Sequence, residues 1–221
     1  VSRIAAGIIT YPIKPERVEY LEYGIERFQR YAKATRHGLT LFVSCEADER
    51  GNVDAVRHVC ESRGVGFFLN EGTPCMGANQ NNAMHIAFEM LRVNYLLLLI
   101  DDGFPLGPID LSGHVDFLNA NPEIDILRFH WSGRDGACPA FTDRGDGYNQ
   151  VDPAGLRFYD DSPHIRRCYY VEHFGQHIEK TPAEAGMVEH ATCESLKRGG
   201  ANIVATKEFR FGKGGLVSAV R

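Results

Sequence analysis

The 221-residue sequence has one tryptophan, and none of its six cysteines (45, 60, 75, 138, 168 and 193) forms a C-x-x-C pair. That spacing excludes a zinc ribbon and a thioredoxin-like redox centre. Cys60 and Cys193 fall inside helical patterns, and a chain of this size does not need disulfides, so free thiols in a reducing cytoplasm are expected. No apolar run approaches the roughly 20 residues of a membrane span. No signal-peptide pattern is present, and residue 1 is valine rather than a start methionine. Positive charge is not in excess: 24 Lys and Arg stand against 29 Asp and Glu, a net charge of −5. Nucleic-acid binding driven by overall charge is therefore not expected. Three catalytic signatures are also missing. There is no G-x-G-x-x-G after the first strand, no G-x-x-x-x-G-K-[ST], and no G-x-S-x-G, which disfavours a dinucleotide site, a P-loop and an α/β-type serine hydrolase.

What is present is an ordinary globular composition, 43% apolar and 24% charged, with strands and helices in alternation. The clearest segment is Tyr95–Ile100, six large apolar or aromatic residues that run straight into Asp101-Asp102-Gly103. A run this short and continuous reads as a strand buried on both faces. It must stop where charge begins, because an ionised carboxylate is not buried without a partner. Upstream, Ile4–Ile9, Leu39–Val43 and Val65–Leu69 read as strands. Helices are expected from Pro15, ending at Arg36-His37-Gly38, from Val53 to Arg63, and from Gly77 onward with Met84, Ala87, Phe88 and Leu91 inward. Such alternation implies a parallel sheet with right-handed crossovers. The strand ends then bring Thr10-Tyr11, Glu46 with Asp48, Asn70-Glu71 and Asp101-Asp102 to one edge, where open α/β sheets bind ligands. Two aspartates there suit a divalent metal carrying phosphates; Asp-Asp-Gly is also ordinary turn chemistry.

The second half is less regular. Asp110 or Ser112 caps a helix reaching Asn121, and Ile124–Phe129 reads as a strand followed by His130-Trp131. Residues 132–152 have no clear period. Gly155–Tyr159 and Arg167–Val171 read as strands, Pro182 starts a helix running to Arg198, and Asn202–Thr206 is a short last strand. The basic tail around Lys213 reads either as a solvated end or as a cover for a diphosphate. Trp131 reads either as a core residue or as a platform for a sugar ring. His130, His164, His173 and His177 are not assigned as metal ligands. No repeat or linker divides the chain, so one domain over 1–221 is expected.

Several of these segments, in this order, resemble the family-two inverting glycosyltransferases of the GT-A, nucleotide-diphospho-sugar-binding fold. The resemblance covers about the first 130 residues, with a weaker echo near the end. It lies in Gly7-Ile8-Ile9-Thr10-Tyr11 followed by Pro15-Glu16-Arg17, in Asn70-Glu71-Gly72 followed by Gly77–Ala83, in Leu99–Phe104, and in Asn121–Ile126. The sequence departs from the family pattern at Gln80, where arginine is frequent, and at Gly103, where a third acid is usual.

The resemblance implies an α/β, Rossmann-like GT-A fold with a mostly parallel central sheet and a smaller mixed sheet on the acceptor side. A nucleotide-sugar-binding half over 1–106 would precede an acceptor-side half over 107–221. It implies transfer of a sugar from a UDP- or GDP-type donor to a hydroxyl acceptor with inversion, assisted by Mn²⁺ or Mg²⁺. Donor contacts would fall on Thr10, Tyr11, Glu46, Asp48, Asn70, Gly77, Gln80, Asn81 and Asp101, and the metal on Asp102 and Asp101. The base on the acceptor hydroxyl would be Glu189, whose usual acidic neighbour is replaced by Val188, or Glu184. Two alternatives remain open at the level of sequence. One is a nucleotidyltransferase that makes sugar nucleotides, although Thr10-Tyr11-Pro12-Ile13-Lys14 lacks that class's glycine-rich loop. The other is a noncatalytic nucleotide-sugar-binding or scaffold protein.

Overall fold

The computed structural model describes residues 1–12, 14–47, 52–72, 75–131, 141–155, 163–177 and 185–213. The first half is β1 (Arg3–Thr10), α1 (Pro15–Tyr31), β2 (Ala32–Lys33), β3 (Gly38–Glu46), α2 (Val53–Arg63), β4 (Gly66–Asn70), α3 (Met76–His85) and β5 (Tyr95–Ile100). A π-helical turn, Ile86–Met90, extends α3. The second half is β6 (Gly103–Pro105), β7 (Ile109–Asp110), α4 (Leu111–Ala120), β8 (Ile126–Trp131), β9 (Phe141–Asp143), β10 (Tyr148–Val151), β11 (His164–Arg167), α5 (Tyr170–Phe174), α6 (Ala185–Arg198) and β12 (Ile203–Lys213).

The main sheet runs β4-β3-β1-β5-β11-β8-β12-β10-β9, with β6 paired to the end of β12. The four early strands are parallel, as the alternation predicts. β11 lies antiparallel to both β5 and β8, and β12 is parallel to β8. The carboxyl ends of β8 and β12 therefore face the same edge as those of β1, β3, β4 and β5.

Alternate strand residues feed two apolar layers. Ile4, Ala6, Ile8, Val43, Leu97 and Leu99 pack with α1, α2 and α4, while Ala5, Ile9, Phe42, Leu96 and Leu98 pack with α3, α5 and α6. Strands covered on both faces explain the continuous apolar runs. Gly7 in β1 is fixed by this packing, since a Cβ there would lie 2.6 Å from the ring of fully buried Phe42. Gly7→Ala is expected to lower stability by about 1–3 kcal/mol through overpacking. Urea unfolding checks this, and a loss well under 1 kcal/mol would contradict it.

Four expectations need correction. First, α1 stops at Tyr31, not at Arg36-His37, because Ala32–Lys33 turns extended and pairs with β7. Arg36 and His37 instead bind Asp116 of α4. Second, residues 141–151 form a β-hairpin, turned through Gly145 and Gly147 at positive φ with Asp143 and Asp146 accepting from backbone N–H groups. Third, the strand expected at Arg167–Val171 lies earlier, at His164–Arg167, and Tyr170-Val171 is helical. The basic Arg166-Arg167 pair hid it: both are buried, Arg166 on one face and Arg167 donating on the other to the carbonyls of Ile124, Leu118 and Asn121. Fourth, β12 continues past Thr206 to Lys213, with register shifts that break the alternation. The basic tail thus begins as a strand edge beside Gly103. Most of the Gly155–Tyr159 segment and Pro182 lie outside the described residues.

The candidate nucleotide site

The site is built at the carboxyl edge of β4-β3-β1-β5. The register aligns Thr10 with Cys45, Ile9 with Ile100, and Glu46 with Asn70. Thr10, Glu46, Asn70 and the Asp101-Asp102 turn therefore end together, and half-buried Tyr11 follows directly on Thr10. From β4 to β5 there are three inter-strand steps, a span of about 14 Å.

Asp101 holds the turn in place. Its backbone N–H donates to the Ile9 carbonyl at 3.0 Å, Thr10 Oγ1 donates to its Oδ2 at 2.7 Å, and Arg17 Nη1 donates to its Oδ1 at 2.5 Å. Burial pushes the Asp101 carboxyl up to about 6; Arg17 and the Thr10 hydroxyl offset only part of that push. Both Asp101 oxygens are engaged within the protein, so of the two aspartates expected at a metal Asp102 is the one with an oxygen left over. Asp102 Oδ1 is buried with no hydrogen-bond partner, and Oδ2 lies 3.5 Å from Arg17 Nη1.

The donor set fits a divalent cation that takes a single protein oxygen, from Asp102. Among the described residues no group of three or more His, Cys, Asp or Glu side chains could hold a metal. Phosphate oxygens and water would supply the remaining ligands, as is usual for Mg²⁺.

The start of α3 is stitched to the same edge. Asn79 Nδ2 donates to the Thr10 carbonyl, while Ser44 Oγ donates to Asn79 Oδ1 and accepts from Asn82 Nδ2. Gly77 sits buried in its first turn, which opens with Cys75 Sγ accepting from the Ala78 N–H. At the far end of the edge, Asn70 Nδ2 is buried without a partner, while Asn70 Oδ1 accepts from the Gly72 N–H.

Two residues expected to contact the donor also bond partners within the protein. Both ends of the Asn81 amide bond the His177 backbone, and Gln80 Oε1 accepts from Arg166 Nη2 at 3.2 Å. Fully buried Arg166 also donates from Nε to His164 Nε2 at 2.6 Å and from Nη1 to His177 Nε2 at 2.7 Å, with its guanidinium over the Tyr170 ring. A guanidinium only donates, so both imidazoles present a lone pair to it. His177 then carries its proton on Nδ1, which donates to Thr192 Oγ1 of α6 at 2.8 Å.

Burial and the Arg166 charge hold the His177 pKa well below the usual value. Below about pH 6.5 the unfolded chain takes up a proton that the folded chain refuses, so stability is lost as pH falls. The slope is up to about 1.4 kcal/mol per pH unit. Urea unfolding between pH 7.5 and 5 is expected to show this component in the wild type and not in His177→Gln; equal slopes would contradict it.

Asp48 and Glu184 lie outside the described residues. Glu189 lies in α6, and its side chain is outside them as well. Sequence reasoning missed Arg17, Asn79 and Arg166. Arg17 is visible in the sequence only as part of a helix start; its position in the first turn of α1, the helix that follows the first strand, is the available signal.

The architecture is the GT-A, Rossmann-like fold, a mostly parallel central sheet flanked by helices. No protein-family model matches the sequence, and no curated protein matches it. In structure it is similar to residues 1–349 of S. aureus TarS in complex with UDP, with a TM-score of 0.67 and 11% identity over 95% of this chain. It spans 60% of that chain and 36% of the longer TarS structure. It is also similar to CMP:2-keto-3-deoxy-manno-octonic acid synthetase complexed with CTP, with a TM-score of 0.61 and 12% identity, covering 99% of this chain and 97% of that one. A third likeness is to glucosyl-3-phosphoglycerate synthase from Mycobacterium tuberculosis with Mg²⁺ and UDP, with a TM-score of 0.59 and 10% identity over 92% of this chain and 68% of that one. At such identities the likenesses define the fold. No helix among the described residues is long and apolar enough to cross a membrane.

Proposed function

We propose that the protein is a metal-assisted, inverting glycosyltransferase that takes a nucleotide-diphospho-sugar donor and a hydroxyl acceptor. One observation carries the reading: two buried polar atoms without partners, Asn70 Nδ2 and Asp102 Oδ1, lie at the same sheet edge. Each such atom costs about 1–3 kcal/mol, and folded chains keep few of them away from a ligand or water. The span between them matches a nucleoside joined to a diphosphate. The base would rest near Tyr11, Glu46 and Asn70, and the diphosphate near Asp102 and the first turn of α3, where Gly77 allows close approach. The two likenesses solved with UDP lend the fold's support to a nucleotide there. Residues 1–106 then form the donor half and 107–221 the acceptor half of one GT-A domain.

In this reading Thr10 and Arg17 fix Asp101, Asp101 fixes the turn, and the turn aims Asp102 at the diphosphate. A bound Mn²⁺ or Mg²⁺ would neutralise the charge that develops on the departing diphosphate. The acceptor oxygen bonds to the sugar's anomeric carbon as the bond to the diphosphate oxygen breaks, and the electron pair leaves with the nucleoside diphosphate. The acceptor proton passes to Glu189, or to Glu184, acting as general base.

A second reading has one observation in its favour. The fold is similar, at a TM-score of 0.61, to a CMP-sugar-acid synthetase complexed with the triphosphate CTP. In that reading a nucleoside triphosphate and a sugar acid or phosphate would enter, and pyrophosphate would leave. A release screen separates the two: nucleoside diphosphate from a nucleotide-sugar supports the first, pyrophosphate from a triphosphate supports the second. Release of neither, with metal or with EDTA, contradicts both.

A further inference from the structure

The acidic turn has a resident cation. Arg17, in the first turn of α1, reaches Asp101 through Nη1 alone, with Asp102 Oδ2 3.5 Å from the same nitrogen. A guanidinium has five N–H donors. Among the described residues neither Nε nor Nη2 of Arg17 makes a hydrogen bond, although the side chain is only 40% exposed. Asp101 is itself clamped by Thr10 and by the Ile9 carbonyl, so the guanidinium is held at a fixed place with an unused edge. That place is the carboxyl end of β1 and β5.

The charges there sum to −1: Asp101 and Asp102 against Arg17. Without the arginine, two carboxylates would repel any approaching diphosphate. With it, a preorganised donor fork stands beside them, and guanidinium forks match phosphate oxygens.

We propose that Arg17 is a diphosphate-binding residue: anchored by Asp101, it donates through Nε and Nη2 to the phosphates of the nucleotide, so nucleotide affinity persists when divalent metal is removed. This deepens the proposed function and rests on it. Asp101 becomes the positioning residue of the pair. Arg17 is also the competitor that a metal meets at Asp102, so metal and arginine share the phosphate charge rather than one supplying all of it.

Calorimetry with UDP, GDP and CDP tests this on the full chain, in Mn²⁺ and in EDTA, with the matching free nucleosides as controls. In EDTA the wild type is expected to bind at least one nucleoside diphosphate. Arg17→Gln is expected to weaken that binding by about tenfold to a hundredfold, the scale of hydrogen bonds to a charged group, while nucleoside affinity stays unchanged. Arg17→Lys, which keeps the charge but not the fork, is expected to fall between.

Arg17→Gln leaves Asp101 buried without its cation and can fail to fold for that reason alone. The double variant Arg17→Gln/Asp101→Asn removes both charges. It is expected to melt cooperatively near the wild type and to show the same loss of diphosphate affinity. A folded double variant that binds within twofold of the wild type in EDTA would overturn the proposal, as would wild-type binding that vanishes in EDTA but is strong in Mn²⁺. Binding of no nucleoside diphosphate in either buffer would instead remove the proposed function, and this inference with it.

Discussion

Asp102→Asn is expected to slow nucleotide release about 10²–10³-fold, the scale seen when one group that stabilises transition-state charge is lost. The melting temperature is expected to stay unchanged or rise. The two effects diverge for a physical reason. Asp102 Oδ1 has no hydrogen-bond partner among the described residues, so asparagine gives up no internal hydrogen bond there. The change also removes a negative charge beside buried Asp101, whose ionisation Asp102 opposes. A residue that costs stability and serves only a ligand behaves in this way. Initial rates with Mn²⁺ or Mg²⁺, measured beside thermal melts, check both halves. An unchanged rate, or a fall in rate matched by a fall in stability, would contradict the assignment.

Arg166→Ala is expected to lower stability by about 3–5 kcal/mol, because it leaves several buried acceptors unpaired and a cavity where the side chain stood. That is a large share of the roughly 5–15 kcal/mol that holds a domain folded. Arg166 is fully buried, and its loss strips the donor from His164 Nε2, His177 Nε2 and Gln80 Oε1 together. Those acceptors belong to β11, to the segment after α5 and to α3. His177 passes the contact to Thr192 of α6. Arg166 therefore couples the helix that starts at the proposed nucleotide site to the helix that carries Glu189. Arg166→Met, which keeps much of the volume, is expected to be milder and to leave enough folded protein for kinetics. Its signature is a lowered turnover with nucleotide affinity nearly intact, because α6 loosens while the strand ends stay in place. Urea unfolding gives the first quantity and calorimetry with kinetics the second. A loss under 1 kcal/mol for Arg166→Ala would mean that the network contributes little.

These residues also mark where sequence stops being informative. The early strands were legible because each is a short apolar run ended by a polar residue, and burial on both faces leaves no other reading for Tyr95–Ile100. The polar residues that end them, Thr10, Glu46, Asn70 and Asp101-Asp102, were legible for the same reason. β11 was not, because His164-Ile165-Arg166-Arg167 looks solvent-facing until the partners of its two arginines are known. The sequence pattern of β12 stops at Thr206 because the strand's register shifts disturb the period of two. The pattern of α1 extends past Tyr31 because Arg36 and His37 look like a cationic last turn; their partner, Asp116, lies far along the chain. The roles within the acidic turn were hidden too. Sequence puts the metal on Asp102 with Asp101 as a second ligand, but does not show that folding ties Asp101 to Thr10 and Arg17 and leaves Asp102 Oδ1 without a partner.

The most direct test of the account is a crystal of the protein soaked with UDP and Mn²⁺. The β-phosphate is expected between Asp102 and Arg17, with the base on the side of Tyr11, Glu46 and Asn70. A phosphate lodged elsewhere, for instance in the cavity beside His114, Asp146 and Tyr148, with the strand ends empty, would contradict it.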